Sequence, residues 1–302
     1  MPLVRRRTFS LQLPARTLPL GKRTLLMGIL NVTPDSFSER GLYFDRQAAI
    51  ARGLEMEREG ADILDIGGES SRPGAEPVTE EEELSRTIPV IEALRRKGLR
   101  IPISIDTYKA SVAERALEAG AEIVNDVSGL RYDGRTAQVV ANYRAGIVLM
   151  HLRGTPRTMQ QLPPVRHMVP TIQQGLAASL RRALSAGIRK RQIVLDPGIG
   201  FGKTIEQNFE ILTKGLPRIA RMGYPILVGP SRKSFIRRTL EGALVARSPK
   251  GKKPEVSPEE MLYGTAAAVT IAILNGAHIV RVHDVRQMLP VARLADRLLG
   301  LH

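Results

Sequence analysis

Short apolar runs recur along this chain, and eight of them end on a polar or charged side chain. They are TLLMGILN, closing on Asn31; ADILDIGGE, carrying Asp65 and Glu69; PISID, ending at Asp106; and EIVND, ending at Asn125 and Asp126. GIVLMH then ends at His151, IVLD at Asp196, PILVGPSRK at Arg232 and Lys233, and HIVRVHD carries Arg281 and His283. Runs that are apolar at almost every position describe strands buried on both faces. Most stretches between them have helical patterning. Eight such units predict an α/β chain folded as a single (β/α)8 barrel, whose chemistry sits at the C-terminal ends of the strands. The polar residues fall at those ends, so function is to be read from them.

Helix punctuation supports the alternation. Asp45 can cap a helix over 46–59, and Thr79 with Glu82 has capping-box spacing. Helices over 110–119 and 170–186 are each followed by glycine, Ser257 with Glu260 marks another start, and Asp284 is placed to cap the last helix. Gly215 and Pro217 interrupt the helix expected after the sixth strand. The first 23 residues are Arg-rich and acid-free, as in organelle transit peptides. Pro14 and Pro19 spoil an amphipathic helix there, however, and runs such as FSLQL suggest a hairpin closing the barrel floor. The expected organisation is a lead-in over 1–23 and the barrel over 24–302. Residues 245–257, VARSPKGKKPEVS, read as a solvated basic insertion, with an anion- or RNA-binding tag as the functional alternative.

Composition narrows the partners without choosing one. The 302 residues are 43% apolar, enough for one large core, and 45 Lys+Arg against 30 Asp+Glu leave a net charge of +15. That excess favours anions such as phosphate esters, carboxylates, nucleic acid or a membrane surface. The absence of cysteine excludes disulfides and thiolate metal sites and is compatible with a cytoplasmic location. No apolar stretch is long enough for a membrane-spanning helix. Only 4% of residues are aromatic, and no basic stripe is interleaved with aromatics, which disfavours a nucleic-acid-binding barrel.

The strand ends carry the candidate chemistry. After Asn31 the loop through Asp45 holds Asp35, Phe37, Tyr43 and Phe44, a composition suited to a lid or to packing on the next helix. Asn31 itself could give Mg2+ a neutral oxygen. In DIGGESSRPGAEPV two glycines precede Ser70, Ser71 and Arg72, which suits either an anion site or a plain turn. Asp106, Asn125 and Asp196 supply carboxylates and an amide to one cavity, and a carboxylate facing two adjacent N–H donors makes a bidentate pair. DPGIGFGKT lacks phosphate-loop spacing despite its glycines and Lys203, and reads as a tight turn around Asp196. Lys233 would point into the mouth, and Ser231 or Ser234 could begin a helix whose N–H groups attract an anion. Arg281 and His283, two apart, face the same side of the last strand, where barrels often bind phosphate. His151 reads as structural. No zinc or serine-hydrolase signature is present.

Together these segments resemble the dihydropteroate synthase family over residues 25–285. The most specific stretches are MGILNVTPDSFS (27–38) and GADILDIGGESSRPGA (60–75), followed in order by SIDTYK, NDVSG, LDPGIGFGK, GPSRKSF and RVHDV. The resemblance implies a barrel, commonly dimeric, that joins 4-aminobenzoate to a dihydropterin methyl diphosphate with release of diphosphate. It implies that Asn31 contacts a Mg2+ on the diphosphate, with Arg72, Arg281 and His283 as further anion contacts. Asp106, Asn125, Asp196 and Lys233 would hold the pterin, Ser71 and Ser234 the aminobenzoate, and Asp35 with Phe37 would lie on the first loop, the Asp35 carboxylate stabilising developing positive charge. Ser71 stands where the family commonly has Thr, and the first loop reads SERG in place of an acid–Gly–Gly run. The rival within the fold is a pterin-binding methyltransferase domain, which would lack the diphosphate clamp and the aminobenzoate serine. From another class, the rival is a non-catalytic basic barrel.

Overall fold

The computed structural model describes residues 6–33, 42–70, 74–159, 161–244 and 255–301. Strands β1 (Phe9–Gln12) and β2 (Thr17–Leu20) form an antiparallel hairpin in which Phe9 pairs with Leu20. A parallel sheet follows, built from β3 (Leu25–Asn31), β4 (Ile63–Gly67), β5 (Ile103–Asp106), β6 (Ile123–Asp126), β7 (Gly146–Met150), β8 (Ile193–Asp196), β9 (Leu227–Val228) and β10 (Ile279–Val282). Their spatial order is β8-β7-β6-β5-β4-β3-β10-β9. A parallel bridge between Leu195 and Ile226 joins the two ends, and Leu195 N donates to Pro225 O at 2.9 Å, so the sheet closes on itself. The expected (β/α)8 barrel is the fold observed.

Helices α1 (Leu42–Arg58), α2 (Glu80–Arg96), α3 (Ala110–Glu118), α4 (Thr136–Asn142) and α5 (Met168–Ser185) separate the first six barrel strands. After β8 come α6 (Ile205–Glu210) and α7 (Leu216–Ala220), and then α8 (Ser234–Leu244), α9 (Pro258–Leu274) and α10 (Val285–Leu298) complete the outer ring. Several local signals behave as their chemistry dictates. Ser257 accepts from Glu260 N at 3.1 Å while the Glu260 carboxylate accepts from Ser257 N at 2.8 Å, a complete capping box with Pro258 in the first turn. Gly187, at φ +91°, stops α5 with a left-handed residue that any side chain would strain.

Other expectations need correction. Helix α1 begins at Leu42, so Asp45 lies inside its first turn and is not its cap. At α2, Thr79 caps Glu82 N, but the Glu82 side chain pairs with Arg86 and leaves the box half made. Asp284 occupies the N-cap position of α10, yet its carboxylate is held by Arg232, with Nε at 3.1 Å, and caps nothing. Gly215 and Pro217 do not break the helix after β8. A π-turn over Ile211–Gly215 joins α6 to α7, absorbing the irregularity, and Pro217 sits at the start of α7. Of the basic insertion, residues 245–254 lie outside the described residues.

Side chains inside the barrel form two layers, because alternate residues of a strand face the same side. The lower layer is apolar: Leu25, Met27, Ile63, Ile123, Val148, Val194, Leu227 and Ile279 pack with Leu11, Leu13 and Leu20 of the hairpin, which closes the floor. Arg6 ties the lead-in down. Its guanidinium donates to Thr24 Oγ1, to Ala277 O and, at 2.7 Å, to Asp296 of α10, all out of solvent. His278 performs the same service: it accepts from Ile226 N at 3.1 Å through Nδ1, and Nε2 lies 2.9 Å from Arg7 O. Outward-facing strand residues such as Leu26, Leu64, Ile105, Val124 and Leu195 join the main core under the helices.

Candidate active site

Further along the same strands the inward positions turn polar. Asp65, Asn125, Asp196 and Arg281 stand two residues beyond the apolar layer on β4, β6, β8 and β10, Asn31 stands four beyond Met27 on β3, and Asp106 follows Ser104 on β5. Register aligns them, since Asn31 pairs with Gly67, Gly67 with Asp106 and Asp106 with Asn125. Asp65 is fully buried and is the hub of the group. Its Oδ2 accepts from Arg281 Nε at 2.6 Å and from Asn125 Nδ2 at 3.0 Å. Arg281 Nη2 also reaches Asp106 Oδ2 at 2.7 Å. Asp65 Oδ1 and Ser104 Oγ, on paired residues of β4 and β5, are buried without a hydrogen-bond partner.

Burial and charge set the ionisation of these groups. Burial pushes the Asp106 carboxyl up to about 7; Arg281 opposes this, and Asp65 and Glu83 add to it. Burial likewise lifts Asp196 to about 6, opposed first by the Gly198 N–H and then by Lys203, Lys233 and Arg281. Burial alone would lower Arg281, but Asp65 and Asp106 together hold it above its ordinary value. The mouth therefore holds a fixed cation among acids, one of which is poised near neutrality.

The turn after β8 is shaped around Asp196. Gly198 N donates to Asp196 Oδ1 at 2.7 Å, and Gly198 sits at φ +69°, where an added Cβ would meet His151 O at 2.1 Å. Lys203 is buried, and its Nζ donates to His151 O and Gly198 O, which confirms a structured turn in place of a phosphate loop. Lys233 Nζ lies 3.9 Å from the Phe201 ring centroid, within cation–π range. His283 Nδ1 is 3.0 Å from Ser231 Oγ, and Ser234 is exposed at the start of α8. Asn31 is partly exposed at the tip of β3. Burial holds His151 down at about 2, and its ring packs on Gly175, which suits the structural role expected of it.

The sequence groups Arg281 with His283 as a clamp. The structure adds Asp65 and Asp106 as partners of Arg281, and Ser231 as a partner of His283. Asp35, Phe37, Ser71 and Arg72 lie outside the described residues. The sequence marks Asp65 as a strand-end residue and Ser231 as a possible helix start without giving either a role in the site, and it passes over Phe201. The period-2 argument that paired Arg281 with His283 would have found Asp65, because it lies two residues from inward-facing Ile63. At the base of the second loop, Glu69 accepts from Tyr108 Oη at 2.8 Å and from Lys109 Nζ at 2.6 Å, and Lys109 also reaches Glu83 of α2 at 2.6 Å.

Comparison with known proteins agrees with this geometry. Residues 27–283 match the model of a family described as pterin binding enzyme. The dihydropteroate synthase of Synechocystis is 48% identical over 92% of this chain and 91% of its own length. That of Bacillus subtilis is 45% identical over 93% and 92%. Among solved structures, the dihydropteroate synthase of Clostridium difficile with pteroic acid superposes with a TM-score of 0.82 at 45% identity, covering 92% of this chain and 98% of that one. The Xanthomonas albilineans dihydropteroate synthase with 4-aminobenzoic acid gives 0.84 at 39%, covering 98% and 100%. By its motifs in order, its barrel and these relatives, the chain belongs to the pterin-binding enzyme family, among the dihydropteroate synthases.

Proposed function

We propose that the chain condenses (7,8-dihydropterin-6-yl)methyl diphosphate with 4-aminobenzoate, giving 7,8-dihydropteroate and diphosphate for folate biosynthesis. The observation that carries this reading is the buried Asp65–Arg281–Asp106 group beside Asn125 and Asp196, in a chain of this family. A pterin presents an amino group and an adjacent ring N–H, a donor pair that an ionised Asp196 can accept bidentately. Asp106 and Asn125 offer further polar contacts to the ring, and Lys233 with Phe201 supplies a wall.

Bond breaking comes first. The C–O bond to diphosphate cleaves with its electron pair passing to the leaving oxygen, and the pterin methylene is left as a conjugated cation. Arg72, Arg281 and His283 are assigned to the departing negative charge, which positively charged and hydrogen-bonding groups aimed at it stabilise. The neutral arylamine then attacks the methylene carbon and loses a proton afterwards, so no strong general base is required. Asp35 is assigned to stabilising the cation, and Ser71 and Ser234 to placing the aminobenzoate, whose carboxylate would also meet the N-terminus of α8.

Mg2+ is proposed as the cofactor, with Asn31 as its protein ligand. No three His, Asp or Glu gather to hold an ion among the described residues. A single neutral amide oxygen suits a cation that keeps most of its coordination for substrate phosphates and water. When bound, it would neutralise charge on the diphosphate. A homodimer is proposed from the family resemblance, with α9 and α10 as the candidate face because Tyr263 is 62% and Leu294 66% exposed. A cytoplasmic location is proposed from the lack of cysteine, and no described helix is long and apolar enough to cross a membrane.

The test is to incubate the purified protein with the dihydropterin diphosphate, Mg2+ and labelled 4-aminobenzoate and to quantify dihydropteroate by chromatography. Product that requires all three and disappears in Asp196→Ala is expected. Folded protein that binds pterin but makes no product would point instead to a methyltransferase-like or silent pterin-binding role.

A further inference from the structure

We propose that Lys203 is the positioning residue for Asp196: its terminal amine staples the ends of β7 and β8 together and places positive charge beside the pterin-recognising carboxylate. This rests on the assignment of Asp196 to the pterin. The geometry is a closed ring of hydrogen bonds. Lys203 Nζ donates to Gly198 O at 2.7 Å and to His151 O at 2.8 Å. Gly198 N donates to Asp196 Oδ1 at 2.7 Å, and His151 N donates to Asp196 O at 2.9 Å. Both faces of Asp196, side chain and carbonyl, are thus fixed by groups that Lys203 holds. The ring leaves no room for a side chain at residue 198, where a Cβ would stand 2.1 Å from His151 O and 3.0 Å from Lys203 Nζ.

The lysine is an expensive choice for a merely structural role. It is buried, and no carboxylate lies within ion-pair distance of its Nζ among the described residues. A hydrocarbon of the same length would avoid the desolvation cost of a cation but would leave the His151 carbonyl without the donor it has here. Distances of 2.7 and 2.8 Å to two carbonyls lie at the short end of the range for N–H···O bonds. Burial brings the amine well below its ordinary value, while Asp196 opposes that fall more than any other group. The effect is mutual: among charged groups, Lys203 is the first that lowers Asp196, ahead of Lys233 and Arg281. The groups facing the pair are Lys233 before α8, Arg281 on β10, Arg131 after β6, and Arg153 and His151 after β7. Arg281 is already committed to Asp65 and Asp106.

The test measures binding of 6-hydroxymethylpterin by calorimetry between about pH 5 and 9, across the window where an Asp of this kind titrates. Lys203→Met, Lys203→Arg and Asp196→Asn are compared with the unaltered chain. Lys203→Met is expected to weaken the pterin by at least about tenfold at neutral pH and to move the acid limb of binding up by about one unit, because Asp196 then holds its proton more tightly. Lys203→Arg, which restores a cation, should bring that limb back. A packing defect alone would weaken binding at every pH without moving the limb. Folded Lys203→Met with pterin affinity within about twofold of normal, or with the limb unmoved, overturns the proposal. Unchanged pterin affinity in Asp196→Asn overturns instead the assignment of Asp196 to the pterin. If Lys203→Met does not fold, lysine Nζ NMR on the unaltered chain decides. A slowly exchanging ammonium that shifts when 6-hydroxymethylpterin binds is expected, and its absence or indifference to the pterin refutes the idea.

Discussion

The floor and the mouth of this barrel are built by the same strands, two residues apart, under opposite physical rules. On β4, Ile63 packs into the apolar floor with Leu11, Leu13 and Leu20, while Asp65, the next residue on that face, is buried against Arg281 and Asn125. The β10 pair is Ile279 below and Arg281 above, and the β8 pair is Val194 below and Asp196 above. Apolar burial contributes about 25 cal/mol per Å² removed from water. Buried ions seldom stabilise relative to apolar residues of the same volume, since desolvation consumes most of the attraction. Stability is therefore concentrated at the floor and recognition at the mouth. The hairpin belongs with the first of these, as a plug that lets the upper layer remain polar without water entering from below.

The sharpest way to break that division is to remove the hub. Asp65→Ala leaves Arg281 with Asp106 alone and Asn125 without its acceptor, and should cost about 3–5 kcal/mol in urea unfolding while abolishing pterin binding by calorimetry. Its counterpart below, Ile63→Ala, opens a cavity in the floor and should cost about 2–5 kcal/mol with pterin affinity preserved in the folded fraction. Equal loss of binding in both variants would show that the layers are not separable.

A change of pH should act on the two ends with opposite sign. Asp106 lies at about 7 in the folded chain against an ordinary 3.8, so the folded state binds more protons between those values and loses stability as pH rises through them. At the floor, burial lowers His278 to about 4 from an ordinary 6.5. There the unfolded state binds more protons, and stability is lost as pH falls from about 6.5 to 4, by up to ~3 kcal/mol. His151 adds a term of that same sense from the mouth side, so variants are needed to separate them. Melting curves should show that His278→Gln flattens the acid slope and that Asp106→Asn flattens the slope toward neutrality. An unchanged acid slope in the first would remove His278 as the floor's titrating group.

The smallest effects lie outside both layers. Ser257→Ala deletes half of the capping box on α9 and should lower stability by about 1 kcal/mol without altering kcat or either KM. Ser234→Ala should raise the KM for 4-aminobenzoate by a few fold and leave pterin affinity unchanged. If pterin affinity fell instead, the assignment of this serine to the aminobenzoate would be wrong.

Much of the fold was legible in the chain because it depends on local pattern. Doubly buried strands must be apolar throughout, helices must start and stop where capping groups and glycines allow, and strand ends reveal polar residues that a core would reject. The local signals failed where a side chain had a better partner elsewhere. Asp284 looks like a cap but is drawn to Arg232, and Glu82 turns to Arg86. The helix after β8 was misjudged for a different reason, since a π-turn is an adjustment of backbone hydrogen bonds that residue type hardly marks.

By itself, the sequence determined which residues would stand at the mouth, since position along a strand and alternation of faces are matters of backbone geometry. It carried the hairpin and the family motifs in the same way. Only the tertiary structure decided which of those residues hold one another. Arg281 meets Asp65 across 216 positions of chain, and Lys203 closes a ring with His151 across 52. Such pairings, and the shifted ionisation of Asp106 and Asp196 that follows from them, depend on distance and desolvation inside a closed barrel, and neither quantity exists until the barrel has formed.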